Sequence, residues 1–144
     1  SEIMAAFLFS QMQEAKTIKA RRLDIWNRYH KELEVLEEKS LIERPYIPSY
    51  CNHNAHMYYI LLKSEDVRNK FISYMKENGI NCVFHYQPLH KSPIYLNKFV
   101  DDEGLKSNLT VTSKVADKLA RLPLWIGIDN VQEFIIDKLI KFFE

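Results

Sequence analysis

Cysteine and histidine, the residue types that can ligate zinc, are concentrated at two places in the sequence: Cys51, His53 and His56, then Cys82, His85 and His90. The Cys-x-x-His spacing of Cys82 and His85 is compatible with a zinc site. On a strand, however, side chains alternate between the two faces, so these two residues would point in opposite directions. No Cys-x-x-Cys pair accompanies them. The sequence therefore does not predict a metal site, and we expect Cys82 to be a small core residue.

A second chemical pattern is the segment 84–90, with the sequence FHYQPLH, where a strand is expected to end at a proline turn. The turn would leave His85, Tyr86, Gln87 and His90 at the mouth of a sheet, where polar aromatic groups often face ligands. Imidazole can offer positive charge or a hydrogen-bond donor to a phosphate, and a phenol is a rigid donor. The alternative is a surface histidine with satisfied hydrogen bonds beside a packed tyrosine.

The segment 52–59, with the sequence NHNAHMYY, allows the same two interpretations. Asn54 and His56 could meet a ligand, or they could merely cap the strand that follows. Both residues are therefore candidate substrate contacts with a structural alternative.

Other kinds of chemistry find little support in the sequence. Neither cysteine lies at an electropositive helix start and no serine lies in a nucleophile elbow, so nucleophilic catalysis is not predicted. The carboxylate pairs Glu37-Glu38 and Asp101-Asp102 lie in polar stretches and predict solvated charge. The sequon that begins at Asn108 is expected to be silent without a secretory signal.

Composition limits the class of protein. The chain has 144 residues, of which 47% are apolar and 27% charged, with a net charge of +1. These values fit one domain with a proper hydrophobic core and exclude a disordered chain and a strongly basic nucleic-acid binder. No apolar run approaches the ~20 residues of a membrane span, and the apolar start lacks the basic region of a signal peptide. We therefore expect a soluble, cytoplasmic protein without a nucleic-acid or membrane partner.

The scarcity of glycine excludes two common nucleotide sites. Only three glycines occur, so no Gly-rich loop of the P-loop or dinucleotide-binding type can be built.

The N-terminal quarter predicts one very long helix, or two nearly collinear ones. From Ser1 to about Leu36 there is no proline or glycine, and apolar residues recur mostly at helical spacing. Such a helix would run about 54 Å, whereas a compact globule of this size is only roughly 37 Å across. Its first third is apolar on nearly every side, as expected of an enclosed segment. We infer that another domain or another chain supplies a covering surface.

The rest of the chain predicts alternating short elements. They are a strand buried on both faces (55–63), a helix (65–78) with Ser64 as N-cap and Gly79 as C-terminal cap, a strand (81–86), a short helix and charged loop (91–108), a helix from Thr110 or Thr112 through Ala120, a short extended piece (121–125) that its proline confines to an edge or a strand end, and a helix (131–143) with an Asp129–Gln132 capping box. This order indicates an α+β fold in which a long N-terminal helix and other helices cover a small, mostly antiparallel sheet.

Several of these segments together resemble a known family. SEIMAAFLFSQMQ followed by RR-L-x-x-W-x-x-Y, then NAHMYYI, GINCVFHYQPLH and RLPLW, resemble the C-terminal portion of the DegT/DnrJ/EryC1/StrS sugar-nucleotide aminotransferases. The resemblance spans essentially the whole chain and keeps the order of five motifs.

The resemblance implies the small C-terminal domain of a homodimeric, fold-type-I pyridoxal phosphate enzyme. Such an enzyme would transfer an amino group from glutamate to a dTDP-4-keto-6-deoxyhexose for lipopolysaccharide or other surface-polysaccharide synthesis. The cofactor serves as electron sink, and the lysine that holds it moves the proton. No lysine here stands in the matching sequence context, and the phosphate-binding and pyridine-binding residues are absent. We therefore expect no catalytic or cofactor-binding residue in this segment and no activity from it alone.

The family's HY-x-PLH turn falls on His85, Tyr86 and His90, and the pair His85-Tyr86 would reach the sugar or the diphosphate of the substrate. Residues 1–39 would form the helix that leads from a missing cofactor domain. The alternative hypothesis is a stand-alone interaction module that presents its apolar helix to a partner.

Overall fold

The computed structural model describes residues 1–99 and 109–144. Its elements are α1 (Glu2–Gln13), α2 (Ala15–Glu32), α3 (Glu34–Glu38), β1 (Tyr58–Leu61), α4 (Glu65–Glu77), a 3₁₀ turn (Leu89–Lys91), α5 (Pro93–Phe99), α6 (Thr110–Lys118), β2 (Leu119–Leu122) and α7 (Gln132–Lys141). Helices predominate and the strands pair antiparallel, so the predicted α+β class is confirmed. The expected charged loop after α5, with Asp101, Asp102 and Asn108, lies outside the described residues.

The N-terminal helix is interrupted twice, which corrects the prediction of one or two helices. Glu14 and Leu33 leave α-helical geometry, with φ/ψ of −92°/5° and −91°/3°, and separate α1, α2 and α3. Neither break has a proline or glycine, so the sequence carries no signal for it. The buried stripe nevertheless continues from Ile25 and Tyr29 through Leu33 to Leu36.

Helix α1 exposes its apolar side chains. Between 60% and 81% of each of the following side chains is exposed: Ile3, Met4, Phe7, Leu8, Phe9 and Met12. No residue of α1 is buried. The described part of this chain therefore leaves α1 uncovered.

The sheet consists of β1 and β2, extended by one bridge on each side. Tyr58 pairs with Leu122 and Leu61 with Leu119 in the antiparallel register. Glu43 bridges to Leu61 on one side, and Val83 bridges to Arg121 on the other. The predicted strand 81–86 is thus wrong in extent, since only Val83 pairs.

Strand β2 differs from the prediction in its start and its place. It begins at Leu119, so α6 ends at Lys118 and not at Ala120. At Arg121, β2 has a hydrogen-bonding neighbour on each side, so it is not an edge strand there. Pro123 follows the last residue of β2, so the N–H that proline lacks is not needed for pairing of the strands. Of the two places that the sequence allowed for this segment, the strand end is the right one.

The core lies between α2, α4, α7 and the sheet. Tyr29, Tyr58 and Phe71 are fully buried, and burying each such ring stabilises the fold by roughly 1.5–3 kcal/mol. The Tyr29 hydroxyl donates to the Pro123 carbonyl at 3.0 Å. Strand β1 alternates between fully buried and half-buried residues, so its predicted burial on both faces is only half correct.

The helix boundaries of α4 and α7 show where local signals held and where they did not. The Ser64 hydroxyl accepts from the Val67 N–H, and Gly79 has a φ of +76°, so both predicted caps of α4 are confirmed.

Helix α7 starts without a side-chain cap. Gln132 instead points into the core, 2% exposed, and its Nε2 donates to the Ile25 carbonyl of α2 at 2.8 Å. The predicted capping box is wrong because a tertiary hydrogen bond takes its glutamine.

Arg44 ties the segment after α3 back onto the N-terminal helices. The Glu37 carboxylate accepts from the Arg44 backbone N–H at 2.6 Å and from its Nε at 2.7 Å. The guanidinium also bonds Glu34 and the His30 carbonyl. Burial alone raises the pKa of Glu37, but the hydrogen bonds and charge of Arg44 outweigh it and lower that pKa. The prediction that Glu37 is solvated charge is therefore wrong.

We predict that Gln132→Ala lowers the free energy of unfolding by about 1–3 kcal/mol, because it removes the side-chain hydrogen bond from α7 to the backbone of α2 and leaves a gap. Glu133→Ala is the matched control: its side chain is 87% exposed, so a change under about 0.5 kcal/mol is expected. Urea unfolding measures both. Equal losses would contradict a special role for Gln132.

We also predict that the Arg44–Glu37 contact makes stability depend on pH. Because the pKa of Glu37 is lower in the folded than in the unfolded chain, the contact stabilises above the unfolded value of about 4.3 and is lost as the pH falls through the folded value. Arg44→Met should cost about 1–2 kcal/mol at pH 7, and the difference from wild type should shrink in acid. Lys70→Met, which breaks the exposed pair with Asp66, should show a much smaller difference at pH 7.

Candidate functional site

The turn that contains His85 and Tyr86 follows the single bridge at Val83 and ends in the 3₁₀ turn at Leu89–Lys91. The two rings lie against each other, with centroids 4.4 Å apart. His85 is half-buried, whereas Tyr86 is 71% exposed. The backbone therefore places both predicted contacts at the surface, next to the end of the sheet.

His90 belongs to the same turn but has a different partner. Its Nε2 lies 2.9 Å from the Ser113 hydroxyl of α6. The ring is half-buried. This contact joins the turn to α6, which is a structural role available to His90 besides the predicted contact with substrate.

His85 contacts Arg121, for which the sequence predicts only a place in a short extended piece. Nη1 of Arg121 lies 3.3 Å from Nδ1 of His85. Burial, then the charge of Arg121, then that of His56 lower the pKa of His85. The fold thus brings His56 within electrostatic range of His85, although the two come from segments on opposite sides of α4. The sequence carries no signal for this contact of Arg121, because the contact depends on the pairing of β2 with Val83.

Asn54 and His56 occupy a tight turn before β1. The Asn54 Oδ1 accepts from the His56 N–H at 3.1 Å, and Ala55 between them has a φ of +51°. Arg22 of α2 donates to the carbonyls of Ala55 at 3.1 Å and His56 at 2.6 Å. Asn54 therefore shapes the turn, as the structural alternative predicted, while the His56 side chain is exposed.

The same turn forms one wall of a groove with a volume of about 390 Å³. The end of α1 and the start of α2 form the other wall. The lining residues are Gln11, Met12, Ala15, Ile18, Lys19, Arg22, Asn54 and His56. None of them is acidic, so the groove offers positive charge and amide groups beside an apolar wall.

We use the term basic cluster for Lys19, Arg22, His56, His85 and Arg121. Lys19, Arg22 and Arg121 have no carboxylate partner among residues 1–99 and 109–144. Arginine and lysine without acidic partners attract anions, and phosphate oxygens are their strongest hydrogen-bond acceptors. The basic cluster can therefore hold a phosphate-bearing ligand.

Tyr86 lines a different cavity, with a volume of about 380 Å³, together with Arg68 and Lys91. Here the charges are balanced. Arg68 pairs with Glu65 at 3.0 Å and Lys91 with Asp117 at 3.0 Å. The guanidinium of Arg68 also lies 5.8 Å from the centroid of the Phe84 ring. Since each cation has its own carboxylate, this cavity has no excess charge for an anion.

Neither cysteine lies among described side chains that could bind zinc together with it. Cys82 is a buried, free thiol whose pKa burial raises to about 12, so the prediction of a core residue is confirmed. Cys51 is exposed. Within the described part of the chain no three Cys, His, Asp or Glu side chains are grouped as metal ligands. Nor is any helix there both long enough and apolar enough to cross a bilayer.

Comparison with known proteins identifies the family of this chain. The model of the DegT/DnrJ/EryC1/StrS aminotransferase family matches residues 1–139. The chain belongs to this family. The match covers nearly the whole chain, including α1, the turn at His85 and both strands.

Several solved structures have a similar fold. DesV of S. venezuelae, solved with a ketimine intermediate, has a TM-score of 0.82 and 21% identity over 97% of this chain. The aminotransferase TlmJ of Streptoalloteichus hindustanus has a TM-score of 0.79 and 20% identity over 93% of it. NtdA of Bacillus subtilis, solved with bound cofactor PMP, has a TM-score of 0.72 and 21% identity over 88%.

The aminotransferase chains are much longer than this one. The present chain spans 36% of DesV, 34% of TlmJ and 28% of NtdA. The described residues do not fit pyridoxal phosphate, which needs an enclosed lysine beside an acidic group and a phosphate cradle. Among the described residues, Lys91 lines a cavity with a carboxylate, but it is already paired with Asp117 and is 39% exposed.

Proposed function

We propose that this chain is the small C-terminal domain of a pyridoxal phosphate-dependent sugar-nucleotide aminotransferase, with residues 1–39 leading from the cofactor domain. The family match over residues 1–139 carries the proposal. Two features of the chain support it: the described residues of this aminotransferase segment offer no lysine site for the cofactor, and none of them covers the apolar α1. Both are expected of a domain that works against a second domain.

The reaction that we propose is transfer of an amino group from glutamate to a dTDP-4-keto-6-deoxyhexose, in the synthesis of lipopolysaccharide or another surface polysaccharide. Within the family, we propose that the parent enzyme is a bacterial dTDP-4-amino-4,6-dideoxygalactose transaminase, which the motifs resemble. Pyridoxal phosphate, when bound in the parent enzyme, supplies the electron sink for this exchange. We further propose that the parent enzyme is a cytoplasmic homodimer.

The basic cluster gives the chain a role in this reaction. We propose that the basic cluster binds the diphosphate of the sugar nucleotide, a group that glutamate lacks. We assign His85 and Tyr86 to the sugar or the diphosphate, with His56 and Asn54 on the groove beside them. His90, bonded to Ser113, is the remaining substrate candidate of the turn. We propose that the isolated chain is inactive, since its described residues offer no cofactor site.

In the complete enzyme, replacing His85 by Ala or Tyr86 by Phe should raise the KM for the nucleotide sugar roughly tenfold and leave that for glutamate nearly unchanged, because one hydrogen bond to a charged group is worth about 1.5–3 kcal/mol. Steady-state kinetics with each substrate varied measures this. Tyr50→Phe is the control, since Tyr50 is 88% exposed and lies outside the cluster. Equal effects on both substrates would remove the assignment.

The exposure of α1 also favours a second candidate function, a stand-alone module that presents this helix to a partner protein. The reading frame upstream of Ser1 distinguishes the two. A cofactor domain encoded there supports the aminotransferase, whereas a start codon adjacent to Ser1 supports the module.

Under both functions the exposed face of α1 should make the isolated chain self-associate. Replacing Phe7 and Leu8 by Glu should shift it towards the monomer in sedimentation velocity. Replacing Gln11 and Gln13 by Glu adds the same charge to the same helix without removing apolar surface, and it should leave self-association almost unchanged. A monomeric wild type would show that α1 is covered by some other arrangement.

A further inference from the structure

Arg121 occupies a central place in the sheet. Strand β2 pairs it with Tyr59 on one side, and Val83 bridges to it on the other. His85 lies two residues beyond Val83, and in extended backbone such residues share a face. Arg121 and His85 are thus diagonal neighbours, which explains the 3.3 Å contact between Nη1 and Nδ1.

The chemistry of the two groups fixes the direction of this hydrogen bond. A guanidinium is protonated at all relevant pH values and has only donors. Nδ1 of His85 must therefore accept, so it carries no proton. A neutral imidazole with an unprotonated Nδ1 has its proton on Nε2.

The groups around His85 also favour its neutral form. His56 is the other basic side chain that affects it, and Tyr86 packs against its ring. Arg121 has no carboxylate partner in the described part of the chain that could offset its charge. Protonating Nδ1 would break the bond and place a second cation beside the guanidinium, which agrees with the lowered pKa of His85.

We propose that Arg121 is a positioning residue that holds His85 as the neutral Nε2–H tautomer, so that His85 faces the nucleotide sugar as a hydrogen-bond donor while Arg121 supplies the positive charge. The identity of the ligand rests on the proposed function, whereas the tautomer is a property of this chain alone. An imidazole can offer either positive charge or a hydrogen-bond donor, and the contact of His85 with Arg121 selects the donor.

The first test is the tautomer itself, measured by ¹⁵N-detected histidine NMR on the chain, which contains its own hydrophobic core. The spectrum at pH 7 should show His85 with an unprotonated Nδ1 and a protonated Nε2. Exposed His56, whose ring has no hydrogen bond to any described residue, serves as the internal reference for a freely exchanging ring. A His85 ring with protonated Nδ1, or a tautomer mixture like that of His56, would overturn the proposal.

Variants of Arg121 separate this role from a merely structural one. Arg121→Lys keeps both donor and charge and should retain the Nε2–H tautomer. Arg121→Met removes both, so the tautomer preference should fall and the pKa of His85 should rise. Arg21→Met, at an exposed site on α2, should change neither property. If Arg121→Met is folded, as judged by its backbone NMR spectrum, and leaves the His85 titration unchanged, the proposal is wrong.

The complete enzyme shows whether the donor is used. A glutamine amide can place its N–H close to where Nε2–H lies, whereas an asparagine amide reaches only about as far as Nδ1. His85→Gln should therefore keep the KM for the nucleotide sugar within a few-fold of wild type, and His85→Asn should raise it roughly tenfold. An Nε2–H tautomer with an unchanged KM in both variants would overturn the proposed substrate contact alone. A raised KM in His85→Asn with a protonated Nδ1 in the wild type would overturn the tautomer alone.

Discussion

The packing of α2 against β1 is the interaction on which the rest of this structure depends. Trp26 and Tyr29 of the helix meet Tyr58 of the strand, with ring centroids 5.2 and 5.3 Å apart. The same helix face also binds backbone carbonyls, since Arg22 holds the turn before β1 and Tyr29 holds Pro123 after β2. One helix thereby fixes both strands and the turn that carries His56.

The distribution of charge distinguishes the two sides of the turn at His85. Around Tyr86, each cation lies beside its own carboxylate, and such pairs contribute mainly local structure. Around His85, the cations have no such partners in the described residues. The anionic part of a ligand is favoured on the second side, because cations without carboxylate partners gain most from an anion that arrives from outside.

Local features of the sequence were predicted best, and features that depend on tertiary structure worst. Helix α4 was predicted with both its caps, because Ser64 and Gly79 act within one turn of the chain. The strand at 81–86 was predicted too long, since its residue types favour a strand but only Val83 finds a partner. The turn with His85 and Tyr86 could be recognised from its proline. Arg121 could not be recognised as a neighbour of His85, because their contact depends on strand register.

The break at Glu14 has a mechanical consequence. Met12 lies before it and Ala15 after it, and both line the groove that Asn54 and His56 close from the other side. The groove therefore spans the junction of the two helices, so its width depends on the angle at which α1 leaves α2.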